Sequence, residues 1–339
     1  MNDNKIKVLI VDDSLVFREL LAKGISGDPR IEVVAKAMDP YEARDMIIRH
    51  KPDVMTCDVR MPKMDGVEFI RRLLPQYHLP VIVVSSASEA VLDALDAGAV
   101  EFVTKPDFHS PHDAERFISD LIFKIKVAAK ANLKVNRRAP AREISENQAV
   151  GTDKIIAIGA STGGTEAIFS ILSSFPGNSP GVVIVQHIPP MFSKMFSERL
   201  DRQTNLHVKE ARTGDFIENG KVLLAPGDRH MRIKKLGSKY KVECFEAEKV
   251  NGHCPSVDVL FNSVAKEAGR QAVGVILTGM GNDGAKGLLA MRRAGARTIG
   301  QDEKTSIVYG MPKTAYNIGA VEKQVSLESI PNAVFSLLR

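Results

Sequence analysis

Residues 154–172, KIIAIGASTGGTEAIFSIL, decide the fold of the second half of the chain. The β-branched run Ile155–Ile158 predicts a buried strand, the segment Gly159–Gly164 predicts a tight turn, and Thr165–Leu172 has the apolar spacing of a helix. A strand, a turn and a helix in this order are typical of an α/β domain. The arrangement also sets Ser161 at the beginning of a helix.

The alternation of strands and helices continues toward the C-terminus. Further strands are predicted at Val182–Gln186 and Val273–Leu277, and helices at Met191–Leu200, Val257–Ala268 and Ala285–Arg293. Between Lys221 and Phe245, short alternating runs are separated by Gly-Asp and Gly-Ser dipeptides, which are typical of turns. We therefore expect a mostly parallel α/β domain that contains a short antiparallel excursion.

Five short β-branched runs alternate with amphipathic stretches in the N-terminal part of the chain. These predicted strands are Lys7–Val11, Ile31–Ala37, Val54–Cys57, Val81–Val84 and Glu101–Thr104. Strands that are apolar on both faces and separated by helices indicate a parallel sheet covered on both sides. We predict a second doubly wound domain, in which ligands bind at the carboxyl ends of the strands.

A polar, basic segment separates the two halves. We predict one domain over residues 1–125, a linker over residues 126–152 and a second domain over residues 153–339. Seven lysines and arginines lie between Lys124 and Arg142 with no acidic residue among them, whereas the net charge of the whole chain is +5. Because the positive charge is confined to this segment, we expect no nucleic-acid partner.

Composition limits the remaining classes of protein. Hydrophobic residues make up 44% and charged residues 26% of the chain, as in ordinary globular domains. No apolar run approaches the roughly 18 residues of a membrane span, and the N-terminus lacks the pattern of a secretory signal. The three cysteines are too scattered for a disulfide framework, and Cys254 beside His253 lacks the distant pair of a zinc site. We expect a cytoplasmic protein without direct membrane insertion.

Charged and hydroxyl side chains follow the strands of the first predicted domain. Asp12 and Asp13 follow the first strand, and Asp58 follows the third. Ser85 ends the fourth strand and Lys105 follows the fifth. Three carboxylates at one edge of a sheet favour Mg²⁺, which neutralises a transferring phosphoryl group, and Lys105 can pair with its oxygens.

The segment Asp58–Gly66, DVRMPKMDG, resembles the signature of response-regulator receiver domains. The resemblance extends from Lys5 to about Ile125 and implies a flavodoxin-like fold. It also implies that a chemotaxis histidine kinase phosphorylates Asp58, that Ser85 senses the phosphoryl group, and that Mg²⁺ is required for this step.

Two chemistries compete for the glycine-rich turn around Ser161. The turn could expose a nucleophilic serine, or it could hold the pyrophosphate of a dinucleotide in an oxidoreductase. The dinucleotide site needs an acidic residue about 20 residues further on, at the end of the next strand. His187 stands there instead, so serine hydrolase chemistry is favoured, with Asp283 as the candidate that orients the imidazole.

The second half resembles the catalytic domain of the chemotaxis protein-glutamate methylesterases, from about Lys154 to Leu338. The segments that carry the resemblance are Gly159–Gly164, Gln186–Pro190, Ala225–Gly227, Pro255–Phe261 and Leu277–Ala285. A response regulator with a DNA-binding output domain would instead need a helix-turn-helix after the linker, where this sequence has glycine-rich strand ends.

The resemblance implies hydrolysis of glutamate γ-methyl esters on methyl-accepting chemotaxis receptors, with release of methanol, and deamidation of receptor glutamines. Ser161 would be the nucleophile, His187 the base and Asp283 its orienting group. The backbone N–H of Met280 would contribute to the oxyanion hole. No cofactor is implied for ester hydrolysis.

Overall fold

Two α/β units, Met1–Lys134 and Val135–Arg339, make up the chain in the computed structural model. The structure describes residues 5–86, 88–106, 111–133 and 154–338. Within these ranges no helix has both the length and the apolar character needed to cross a membrane.

Five parallel strands form the sheet of the N-terminal unit, in the order β2-β1-β3-β4-β5. The strands are β1 (Ile6–Val11), β2 (Ile31–Ala37), β3 (Val54–Cys57), β4 (Val81–Ser85) and β5 (Glu101–Thr104). The helices are α1 (Leu15–Ile25), α2 (Pro40–His50), α3 (Gly66–Leu73), α4 (Ser88–Asp96) and α5 (Pro111–Ala128). Every residue of β3 and β4 is buried, as expected for central strands covered on both faces. The predicted doubly wound fold of this half is confirmed.

Helix α5 continues past the predicted end of the first domain at residue 125. Ile125 and Ala128 are fully buried, so the apolar face of the helix extends three residues into the segment predicted as linker. Most of that segment lies outside the described residues, and the domain limits remain a prediction.

The C-terminal unit has ten strands and six α-helices among its described residues. The strands are β6 (Ile155–Ala160), β7 (Gly181–Gln186), β8 (His207–Glu210), β9 (Phe216–Ile217), β10 (Lys221–Leu224), β11 (His230–Leu236), β12 (Lys239–Phe245), β13 (Ala272–Ile276), β14 (Arg297–Gln301) and β15 (Lys323–Val325). The helices are α6 (Gly164–Leu172), α7 (Phe192–Gln203), α8 (Val257–Glu267), α9 (Ala285–Arg293), α10 (Met311–Asn317) and α11 (Ile330–Leu337). Short 3-10 helices occupy Gly269–Gln271 and Leu327–Ser329.

Seven of these strands form one parallel sheet in the order β15-β14-β13-β6-β7-β10-β8. The antiparallel excursion is a separate sheet of β11, β12 and β9. Strand β10, which was expected within the excursion, instead pairs in parallel with β7 and β8. Its pattern of apolar residues fits either setting, because local alternation does not reveal which strand lies alongside.

Strand β6 is the centre of the larger sheet and is buried along its whole length. The chain leaves β6 toward β7 on one side, and β13 pairs with it on the other. Strand order therefore reverses at β6, and in open α/β sheets such a reversal creates a crevice at the carboxyl ends of the strands. Ser161 lies at this point.

A glycine fixes the close approach of α3 to the end of β3. A Cβ added to Gly66 would lie 2.1 Å from the carbonyl oxygen of Asp58. We predict that Gly66→Ala destabilises the N-terminal unit by about 1–3 kcal/mol, the usual cost of overpacking. Gly27→Ala is the matched control, because its nearest atom lies 3.3 Å from the added Cβ. Amide hydrogen exchange in strands β1 and β3 measures the effect, and equal protection in the two variants would refute the prediction.

Candidate active site and phosphoryl-acceptor site

Ser161 leaves the end of β6 between the ends of its two neighbouring strands. Its N–H donates to the carbonyl oxygen of Thr278 at 3.0 Å. A Cβ added to Gly279 would lie 2.6 Å from the Cβ of Ser161, so this segment after β13 packs directly against the serine. Gln186 fixes the other side, because its Nε2 donates to the carbonyl oxygens of Ser161 at 2.9 Å and His187 at 3.1 Å.

His187 leaves β7 beside Ser161. Because Ala160 pairs with Gln186 at the ends of β6 and β7, the next residues of the two strands emerge side by side. Nε2 of His187 lies 2.8 Å from Oδ2 of Asp283. Its Nδ1 is buried and has no hydrogen-bond partner among the described residues. When Nε2 carries the hydrogen, Nδ1 keeps a lone pair that can accept a proton.

The carboxylate of Asp283 lies at the N-terminus of α8. It accepts hydrogen bonds from the backbone N–H groups of Val257 at 2.7 Å and Asp258 at 3.2 Å. The hydroxyl of Ser256 donates to it at 2.8 Å, and so does the side-chain amide of Asn251. A helix N-terminus favours negative charge, so α8 stabilises the ionised form.

These contacts determine the charge of Asp283. Its side chain is 1% exposed, and burial alone would raise the pKa of a carboxyl group. The hydrogen bond with His187 and those from Asn251 and Ser256 outweigh burial and hold the pKa of Asp283 well below its usual range. Asp283 is therefore a permanent anion beside the imidazole at neutral pH.

A second imidazole lies against the first. The rings of His253 and His187 are stacked, with centroids 3.7 Å apart and planes 9° apart. Burial and the neighbouring His187 lower the pKa of His253 to about 4. His253 is therefore neutral at pH 7.

The backbone of Met280 follows the segment packed against Ser161. Among the described residues, its N–H donates to no protein acceptor. The preceding peptide is held in place because the carbonyl oxygen of Gly279 accepts from the N–H groups of Gly310 at 3.1 Å and Met311 at 2.7 Å. The peptide that carries the Met280 N–H is thus fixed on the segment packed against Ser161, and in the described part of the chain this N–H has no protein acceptor.

The structure brings Ser161, His187 and Asp283 to one crevice. Sequence analysis missed the contacts of Asn251 and His253 with this group. The Asn-Gly dipeptide of Asn251-Gly252 indicates a tight turn, but no local pattern shows that a turn so far along the chain contacts the end of β7.

The strand ends of the N-terminal unit form a second polar site. Lys105 donates to Oδ2 of Asp12 at 2.7 Å and to Oδ2 of Asp58 at 2.6 Å. Both carboxylates are buried, and Oδ1 of Asp58 accepts from the N–H of Val59 at 2.7 Å. Burial opposes the charge on Lys105, but its two hydrogen bonds outweigh burial and raise its pKa. Burial also raises the pKa of Asp12 despite Lys105.

The same edge of the sheet collects the remaining predicted residues. Carboxylate oxygens of Asp12, Asp13 and Asp58 lie within 4.8 Å of one another. Three converging carboxylates suit Mg²⁺, which prefers oxygen ligands. Ser85 ends β4 in a buried position, whereas Ser86 is exposed.

Comparison with known proteins identifies the family of each domain. Residues 8–111 match the response regulator receiver domain, and residues 156–334 match the family described as CheB methylesterase. A protein-glutamate methylesterase/protein-glutamine glutaminase of Syntrophomonas wolfei is 57% identical over 100% of this chain and 99% of its own length. A protein of the same name from Pseudomonas aeruginosa is 48% identical over 97% of this chain and 96% of its own length. The crystal structure of the methylesterase catalytic domain of Thermotoga maritima CheB is 37% identical to this chain in sequence. The match covers 54% of this chain and 98% of the Thermotoga maritima chain, with a TM-score of 0.53.

The chain is thus a response regulator whose output domain is an α/β esterase. A receiver and a catalytic domain occur in one polypeptide, and the alignments with the two curated relatives cover nearly the full length of each relative. The chain belongs to the CheB methylesterase family.

The half-buried, neutral His253 links stability to pH. An unfolded histidine binds a proton near pH 6.5, whereas folded His253 does so only near pH 4. The unfolded state therefore binds more protons between these values, and stability falls as pH is lowered from 6.5 toward 4. We predict that His253→Phe loses less stability than the native protein between pH 7 and pH 5.

Thermal unfolding at each pH measures this difference. His207→Gln is the control for replacing a histidine at the surface, because the side chain of His207 is 68% exposed. Parallel pH profiles for the native protein and His253→Phe would show that His253 is not held neutral.

Proposed function

We propose that this chain hydrolyses glutamate γ-methyl esters on methyl-accepting chemotaxis receptors and deamidates receptor glutamines. The observation that carries the proposal is the position of Ser161 beside His187. Nε2 of this histidine is hydrogen-bonded to the buried, ionised carboxylate of Asp283. The names of the relatives support both activities. We propose that the reaction takes place in the cytoplasm, where the chemotaxis histidine kinase would also act.

In the proposed reaction, Oγ of Ser161 attacks the ester carbonyl carbon while Nδ1 of His187 takes the hydroxyl proton. Asp283 stabilises the imidazolium that forms. His187 then returns the proton to the methoxy oxygen, the C–O bond breaks and methanol leaves. Water attacks the acyl-serine by the same route and releases glutamate. A glutamine substrate passes through the same acyl-serine and loses ammonia instead of methanol.

Met280 supports the developing oxyanion in this scheme. Its N–H lies on the segment packed against Ser161 and has no acceptor among the residues that the structure describes. A fixed backbone donor aimed at the developing charge is the usual source of electrostatic stabilisation in acyl transfer. The residues supply a base, a nucleophile and a donor, so the proposed hydrolysis needs no cofactor.

We propose that a chemotaxis histidine kinase transfers a phosphoryl group to Asp58 and that this raises the rate of hydrolysis. Mg²⁺ held by Asp12, Asp13 and Asp58 would neutralise charge during transfer. Lys105 is already bonded to Asp58 and would then pair with a phosphoryl oxygen. The buried hydroxyl of Ser85, at the end of the neighbouring strand, would sense the modification.

Loss of the nucleophile tests the chemistry. We predict that Ser161→Ala lowers methanol release from methylated receptor roughly a thousandfold or more, because nucleophile and base act as one unit. Ammonia release from receptor glutamine should fall in parallel. Ser173→Ala is the control, since the hydroxyl of Ser173 bonds the Phe169 carbonyl oxygen away from the crevice. Unchanged methanol release in Ser161→Ala would exclude the proposed nucleophile.

Loss of the phosphoryl acceptor tests the regulation. We predict that a small-molecule phosphoryl donor with Mg²⁺ stimulates methanol release by the native protein. Asp58→Asn should keep the basal rate and lose the stimulation, because the amide cannot accept the phosphoryl group. Asp45→Asn, on the exposed face of α2, is the control and should respond normally. Stimulation that survives in Asp58→Asn would place the regulatory site elsewhere.

A further inference from the structure

A tight turn between β12 and α8 contacts two members of the proposed catalytic group. Val250 and His253 exchange two backbone hydrogen bonds, each 3.0 Å long. The two residues between them, Asn251 and Gly252, have φ angles of +53° and +83°. Two central residues with positive φ and an Asn-Gly sequence define a two-residue turn of type I′.

Two side chains of this turn, one at its end and one at its centre, contact the proposed catalytic group. His253 stacks on His187 at 3.7 Å between ring centroids. The amide of Asn251 donates to Oδ1 of Asp283 at 2.8 Å and to Oδ2 of Asp258 at 2.8 Å. One turn therefore contacts the imidazole with one side chain and the carboxylate that orients it with another.

Packing of the core does not account for these contacts. Asn251 and Gly252 are exposed, and a Cβ added to Gly252 would meet no atom within 4 Å. Asparagine is common in such turns because it tolerates positive φ. A turn-forming role alone does not require its amide to bond two carboxylates, and it does not require a ring parallel to His187.

The stacked ring removes a freedom that the hydrogen bond leaves. A single hydrogen bond from Nε2 to Asp283 fixes one nitrogen of His187, while the ring can still pivot about that line and move Nδ1 out of the position that the proposed reaction requires. A parallel ring 3.7 Å away blocks this pivot. When His187 takes up a proton, the cation also faces a neutral π surface, which is a favourable contact.

We propose that the Val250–His253 turn positions the catalytic base, with His253 fixing the plane of the His187 ring and Asn251 fixing the Asp283 carboxylate. Both are positioning residues, because the proposal assigns neither of them a contact with the substrate. The inference rests on the proposed roles of Ser161, His187 and Asp283.

The test uses full-length protein and a fluorophosphonate, which phosphonylates an activated serine with loss of fluoride and needs no receptor. His253→Ala removes the ring, His253→Phe keeps one, and Asn251→Gly deletes the amide while retaining a residue that accepts positive φ. Gly252→Asn is the control, since it alters the turn's other central residue without touching the crevice. Labelling rates are measured together with kcat and KM for ester hydrolysis, and thermal unfolding establishes that each variant is folded.

We expect His253→Ala and Asn251→Gly to slow labelling and lower kcat by about ten- to a hundredfold, the cost of misplacing a catalytic group, with KM little changed. His253→Phe should recover most of the loss, and Gly252→Asn should match the native protein. Failure of phenylalanine to restore the rate would overturn the role given to the stacked ring.

Native labelling rates in folded His253→Ala and Asn251→Gly would overturn the positioning role while leaving the proposed function intact. If the native protein is not labelled at Ser161, which Ser161→Ala reveals as the background, the proposed function itself fails and this inference with it. If His253→Ala does not fold, the comparison of Asn251→Gly with Gly252→Asn decides.

Discussion

The arrangement of the candidate active site depends on the hydrogen bonds that the carboxylate of Asp283 accepts. Burying an ionised carboxylate is costly unless donors surround it. Here two backbone N–H groups at the start of α8, the Ser256 hydroxyl, the Asn251 amide and His187 all point at its two oxygens. The group therefore ties the loop after β13 to α8, to the turn before that helix and to the end of β7. Losing its charge would loosen four segments at once.

The two units apply the same architecture to different chemistry. In each, parallel strands bring polar residues together at their carboxyl ends. In the N-terminal unit an ammonium, Lys105, balances two buried carboxylates, Asp12 and Asp58, and the result is an acidic site suited to a cation and a phosphoryl group. In the C-terminal unit backbone N–H groups balance one carboxylate, Asp283, and this carboxylate is hydrogen-bonded to His187.

The sequence was sufficient to predict the central strands and the residues that follow them. Strands β3, β4 and β6 are mostly apolar and are buried along their whole length because both faces are covered, and the apolar runs are visible without a structure. The partners of β10 were not predictable, because the alternation of apolar residues within a strand does not show which strands pair with it. The contacts of Asn251 and His253 with the crevice were hidden for the same reason.

The charge of Asp283 is the most direct test of this account. With aspartate carboxyl carbons labelled by ¹³C, the Asp283 resonance is assigned by its loss in Asp283→Asn and followed as pH is lowered. The account predicts that the resonance does not move down to about pH 4, where an ordinary aspartate is half protonated. A resonance that titrates in this ordinary range while the protein remains folded would contradict it.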